Sequence, residues 1–69
     1  MTGTVKWFNA GKGYGFVILD EDKEKEAFVH FSEIKMEGFK KLLDGQKVSF
    51  ELTTEENGKL RAVNVVPIE

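Results

Sequence analysis

Cysteine is absent from the 69 residues, so neither a disulfide nor a thiolate metal site can stabilise the chain. That absence suits a reducing cytoplasm, the compartment expected here. Histidine occurs once, at His30, and a single histidine without cysteine argues against a bound metal; no cofactor is expected. As a catalytic base His30 would need a nucleophile. Ser32 lies two residues on, but no third group is evident to orient the pair, so the chain is not expected to be an enzyme. Long apolar runs are missing too. The longest, Phe16 to Leu19, falls far short of the roughly 20 residues that span a bilayer, and Met1 to Val5 shows no secretory pattern, so no membrane partner is expected. Heptads, amphipathic helical stretches and internal repeats are also absent. A chain of this length makes one small domain, expected over residues 1–69 and monomeric, which buries only about 60% of its unfolded surface.

The formal net charge is −2, which by itself argues against a polyanionic partner. Its distribution matters more. From Met1 to Leu19 there are two lysines, Lys6 and Lys12, and no acid; from Asp20 to Glu26 there are five acids and two lysines. The acidic run reads as a solvated loop, and the segment before it is locally basic.

What the chain does contain is a series of short β-rich runs punctuated by turn residues. A first strand is read over Thr4 to Asn9, a second over Lys12 to Leu19 and a third over Glu26 to Phe31. Ser32-Glu33-Ile34 allows one helical turn, and Lys35 to Leu43 reads as a long surface loop. A fourth strand, Lys47 to Thr54, alternates Val48, Phe50 and Leu52 with Ser49, Glu51 and Thr53, the pattern of a half-buried strand, with Phe50 in the core. Asn57-Gly58 predicts a tight turn into a fifth strand, Lys59 to Val66, stopped by Pro67. Five antiparallel strands without helices bury one face most economically by closing into a small barrel, which also removes exposed edges. The fold class expected is therefore all-β, a five-stranded antiparallel closed barrel.

Seven of the eight aromatics lie between Trp7 and Phe39. Strand parity puts Lys12, Tyr14 and Phe16 on one face of the second strand, and Glu26, Phe28 and His30 on one face of the third. Gly13, Gly15, Val17, Ala27, Val29 and Phe31 take the opposite faces. Aromatics in strands are usually core. Here burying them would draw Lys12, Glu26 and His30 inward and turn Val17 and Val29 out, so an outward aromatic platform is expected. Such a patch marks an interaction surface. Gly13 and Gly15 on the inner face let a tightly curved sheet bend. Trp7 and its neighbour Phe8 have opposite parity unless a bulge intervenes. Gly11-Lys12-Gly13-Tyr14-Gly15 has the spacing of neither a dinucleotide fingerprint nor a P-loop.

Lys12-Gly13-Tyr14-Gly15-Phe16-Val17 resembles the first ribonucleoprotein-type motif of the bacterial cold shock proteins, and Phe28-Val29-His30-Phe31 resembles their second. Lys6-Trp7-Phe8-Asn9, Glu37-Gly38-Phe39, Gly45-Gln46 and Asn64-Val65 extend the likeness over essentially the whole chain. The resemblance implies an oligonucleotide-binding barrel whose partners are single-stranded RNA and DNA, and an RNA-chaperone or transcription-antiterminating role. Carried over position by position, it implies a nucleic-acid-binding set of Lys6, Trp7, Phe8, Asn9, Lys12, Tyr14, Phe16, Phe28, His30, Phe31 and Phe39. Tyr14 stands where phenylalanine is commoner, Glu26 where aspartate is, and Ala27 where valine is. The last hairpin lacks the proline many members carry, which leaves contacts from Lys59 and Arg61 open. Two rival readings use the same aromatics. An RNA-recognition-motif domain needs two helices and an aromatic where Leu19 stands; a barrel taking proline-rich peptides would not need the glycine-bracketed spacing of Lys12 to Phe16.

Overall fold

The computed structural model describes residues 1–35 and 42–68. Five strands form the wall: β1 Thr2–Asn9, β2 Tyr14–Leu19, β3 Glu26–His30, β4 Lys47–Thr54 and β5 Leu60–Pro67, with a 3-10 turn over Phe31–Glu33 after β3. They close in the order β1-β2-β3-β5-β4, so the expected five-stranded barrel is present. One seam differs from an all-antiparallel reading. An odd number of strands cannot alternate direction all the way round a closed ring, and β3 meets β5 in parallel, at Phe28 opposite Arg61. A parallel bridge between Ile34 and Val65 continues that seam.

The inner face is aliphatic. Val5, Val17, Ala27, Val29, Val48, Phe50 and Val65 are buried from all five strands, and Ile34 and Leu42 plug the interior from the segments between β3 and β4. No buried side chain is polar or charged among the described residues. Two bulges let so short a wall curve this tightly. In β1, Val5 faces Val17 but Trp7 faces Phe16, which leaves Lys6 as the extra residue. In β5, Ser49 pairs with Val66 and Glu51 with Val63, and Asn64 takes a positive φ of 52° there, its amide bonded to Glu51 at 2.6 Å. Asn is among the few side chains that tolerate this region.

Several strand ends move. β1 begins at Thr2, because it pairs with β4 from Thr2 opposite Ser49 onward. β2 begins at Tyr14 rather than Lys12: Gly13 has φ +82°, and its N–H donates to the Asn9 carbonyl at 2.7 Å, closing a turn. β5 includes Pro67, and the ladder continues past it through Ile68 N–H to the Lys47 carbonyl at 2.9 Å. The long loop expected over Lys35 to Leu43 lies largely outside the described residues.

Candidate nucleic-acid interface

The bulge at Lys6 decides which way Trp7 faces. Simple alternation from buried Val5 would send Lys6 out and Trp7 in; the extra residue turns Trp7 to the outer face beside Phe16. Its cross-strand neighbours are set by the same register. Tyr14 lies opposite His30, and Phe16 opposite Phe28. The outcome is a continuous sheet of rings. Trp7 stands 5.8 Å from Tyr14 and 5.4 Å from Phe16, Phe28 lies 5.8 Å from both Tyr14 and Phe16, and His30 follows at 6.4 Å. All are half-buried, and each ring is tilted or edge-on to its neighbours.

Phe31 joins from an unexpected direction. Strand parity placed it on the inner face with Val29, but the chain leaves β3 at His30 and enters the 3-10 turn, so Phe31 swings out and is 45% exposed. Its ring lies 4.7 Å from His30 and covers Gly13 so closely that a Cβ there would come within 2.8 Å of it. Glycine is needed at 13 for this contact and for its positive φ. His30 caps the turn: Nδ1 accepts the Ser32 backbone N–H at 3.2 Å and sits 2.9 Å from the Ser32 hydroxyl. A backbone N–H can only donate, so the ring proton belongs on Nε2, which turns a hydrogen-bond donor away from the cap.

Other members of the expected set sit differently. Phe8 faces Gly15 across β1–β2 and packs against the core, so it lies on the opposite side of the wall from Trp7. A Cβ at Gly15 would collide with the Trp7 carbonyl and the Phe8 ring, which shows how closely β1 is drawn down at the bulge. Lys12 is in the turn, not on the face of a strand, and its N–H donates to the Asn9 side-chain oxygen at 3.0 Å. Asn9 thereby shapes the turn that presents Lys12. Lys6 is not free: its ammonium bonds Glu26 at 2.8 Å, across β2. Phe39 lies outside the described residues.

Two residues that sequence reasoning left open or passed over border the platform. Arg61 faces Phe28 across the parallel seam, its guanidinium 3.7 Å from Glu33 and 3.8 Å from Glu55. Ile18 is half-buried between Thr4 and Glu26 on the outer face. The alternation of β2 could have flagged Ile18; nothing local could have placed Arg61. Among the described residues no group of acidic, histidine or cysteine side chains could hold a metal, and no helix is long and apolar enough to cross a membrane.

A closed five-stranded barrel whose β1, β2 and β3 carry adjoining rings on the outer wall is the architecture of the oligonucleotide-binding class. The 'Cold-shock' DNA-binding domain family model matches residues 1–68. Among curated relatives, Cold shock protein 1 of Lactiplantibacillus plantarum is 52% identical over 65 residues, covering 94% of each chain. The Cold shock-like protein of Aquifex aeolicus is 56% identical over 63 residues, covering 91% of this chain and 87% of its own. Cold shock-like protein CspE of Escherichia coli is 52% identical over 66 residues, covering 96% and 93%. In fold, the chain is similar to a solved structure of Drosophila Unr CSD456, with TM-score 0.72 and 20% identity over 99% of this chain and 26% of that one. The chain belongs to the cold-shock domain family. It is a nucleic-acid-binding protein of cold-shock type and not an enzyme.

Proposed function

We propose that the chain binds single-stranded RNA and DNA, as a monomer in the cytoplasm, by stacking successive bases on Trp7, Tyr14, Phe16, Phe28, His30 and Phe31. Lys12 takes a phosphate, Lys6 does so by exchanging its solvent-exposed bond to Glu26 for one, Phe8 and Asn9 support the rim of the site, and Phe39 completes it. The observation that carries this reading is the unbroken series of outward rings on a barrel whose core is already complete without them. Each stacked base contributes roughly 1–3 kcal/mol and tolerates any sequence, since every base has a π face. Three or four such bases give on the order of 4–10 kcal/mol gross, from which ordering costs are subtracted. Before those costs this range corresponds to dissociation constants from about a millimolar down to about 50 nM, so stacking can lead the binding despite a net charge of −2. A duplex hides its base faces, so by holding unstacked bases the protein disfavours RNA hairpins without ATP, which is the chemistry of an RNA chaperone or antiterminator.

Trp7 reports on the site directly. Single-stranded oligonucleotides quench its fluorescence, and with two to four phosphate contacts the slope of log affinity against log salt is about −1.5 to −3, at −0.7 per contact for single strands. Duplex ligands bind weakly. Equal affinity for duplex, or a slope near −7, would show that charge rather than stacking leads the binding.

A further inference from the structure

The 3-10 turn that carries Phe31 onto the platform is held unevenly. Its backbone is anchored at both ends: Phe31 N–H donates to the Gly13 carbonyl at 2.8 Å, and Lys35 N–H to the Val65 carbonyl at 2.7 Å. Between those bonds no side chain of Phe31–Glu33 is buried, so packing does little to fix the turn. Among the described residues, the one ion pair that ties it to the barrel wall is Glu33 with Arg61 of β5, at 3.7 Å.

Arg61 is placed for this by the topology of the barrel. It stands opposite Phe28 on β3 and Thr53 on β4, along the parallel seam that runs on to Ile34 and Val65. Its Nε is shut off from solvent without an acceptor, so the guanidinium is held by its two terminal nitrogens, one facing Glu33 and the other Glu55 at 3.8 Å. Two carboxylates share one cation, and the three groups together are net negative. Such a group repels phosphate, which argues against direct contact between Arg61 and a nucleic-acid backbone. The two arms are unequal. Their lengths are nearly the same, but the Glu33 side chain is 28% exposed and that of Glu55 41%, so solvent screens the Glu33 arm less.

We infer that Arg61 is a positioning residue for the platform: through Glu33 it holds the turn that presents Phe31 and its His30 cap, and Glu55 competes for the same guanidinium. Its weight in binding rests on the base-stacking reading above. Charge alone makes the opposite demand at Glu33. Removing either glutamate lowers the negative charge facing a polyanion, which by itself tightens binding in both cases. Removing Glu33 also cuts the strap, whereas removing Glu55 leaves Arg61 to Glu33 undivided.

The test titrates Glu33→Gln, Glu55→Gln and wild type with an oligo-dT octamer at one salt concentration, followed through Trp7. Glu33→Gln is expected to bind about two- to fivefold more weakly, the scale of one part-exposed ion pair, and Glu55→Gln as tightly as wild type or more so. In a Phe31→Ala background Glu33→Gln should lose its effect, because the ring it positions is gone. The free proteins carry a second signature. The Phe31 ring covers Gly13, so the Gly13 Hα resonances feel its ring current and should move toward their unstructured positions in Glu33→Gln but not in Glu55→Gln. Four results each overturn the positioning role: Glu33→Gln binding as tightly as wild type, an undiminished loss in the Phe31→Ala background, weaker binding by Glu55→Gln, or unmoved Gly13 resonances in Glu33→Gln. If wild-type Trp7 emission does not answer the octamer, the stacking reading fails and the role in binding fails with it; the Gly13 resonances then report the strap alone.

Discussion

The outer face of β4 and the outer faces of β2 and β3 belong to one barrel and are built on the same alternation, yet they share almost no chemistry. β4 turns Val48 and Phe50 inward and shows solvent Lys47, Ser49, Glu51 and Thr53. β2 and β3 turn Val17, Leu19, Ala27 and Val29 inward and show solvent Tyr14, Phe16, Phe28 and His30. The interiors are interchangeable in kind, and the barrel closes equally well over either exterior. An aromatic exterior is therefore not required by the fold. Exposed apolar area of this extent is a liability for an isolated small domain, and its presence on one side only marks the side that meets a partner.

Two phenylalanines put that contrast to its hardest test. Phe50 is 2% exposed at the centre of the core. Phe50→Ala is expected to cost about 3–5 kcal/mol, the range for emptying a buried aromatic, which is most of the stability a domain this small possesses. Circular dichroism should find the variant largely unfolded at 25 °C or melting far below wild type. Phe28 is the same side chain on the other side of the wall. Phe28→Ala is expected to leave the protein folded and weaken oligo-dT binding by about 10- to 100-fold, the loss of one good stacking partner. Thr53→Ala, on the β4 exterior, should change binding by less than about twofold. Oligo-dT titrations followed through Trp7 check both. If Phe28→Ala lowered the melting temperature as Phe50→Ala does, the two exteriors would not differ in purpose, and the platform would be core.

Most of this contrast is legible in the chain itself. The alternation of Lys47 to Thr54 marks β4 with both ends as observed, and the company of Lys12, Glu26 and His30 points the rings outward. Lys12 nevertheless lies on no strand, since Gly13 turns the backbone before β2 begins. What cannot be read locally depends on register. A bulge adds one residue to a strand without leaving a signature at that residue, so the outward turn of Trp7 stays conditional until β1 is seen beside β2. The Lys6–Glu26 bond joins residues 20 apart in sequence and exists only because three strands lie in this register. Arg61 reaches Phe28, and the hairpin loop reaches Lys25, only because five strands force one parallel seam. Periodicity reports which side of a wall a residue takes, but not which wall stands next to it.

The two exteriors are joined at Asp20, at the end of β2. Its carboxylate accepts from Thr2 at 3.0 Å and Thr4 at 3.2 Å on β1, and from Lys47 at 3.0 Å on β4. The Lys47 hydrogen bond, followed by the Thr2 bond, the Lys47 charge and the Thr4 bond, outweighs partial desolvation and holds the Asp20 carboxyl below its ordinary value of 3.8. An unfolded chain then takes up this proton more readily than the folded one. The contribution to stability is complete above the ordinary value and disappears as pH falls through the lowered one. Because the site is open to solvent and screened, the effect is the smallest of those argued here. Asp20→Asn keeps an acceptor for the threonines and removes the charge. Its melting temperature should sit slightly below wild type at neutral pH, and the two should converge in strong acid, with oligo-dT binding unchanged because Asp20 stands off the ring surface. A gap that persisted at the acid end would mean that Asp20 holds the strands by shape rather than by charge. A change in dT affinity would mean that the polar and aromatic walls are coupled through it.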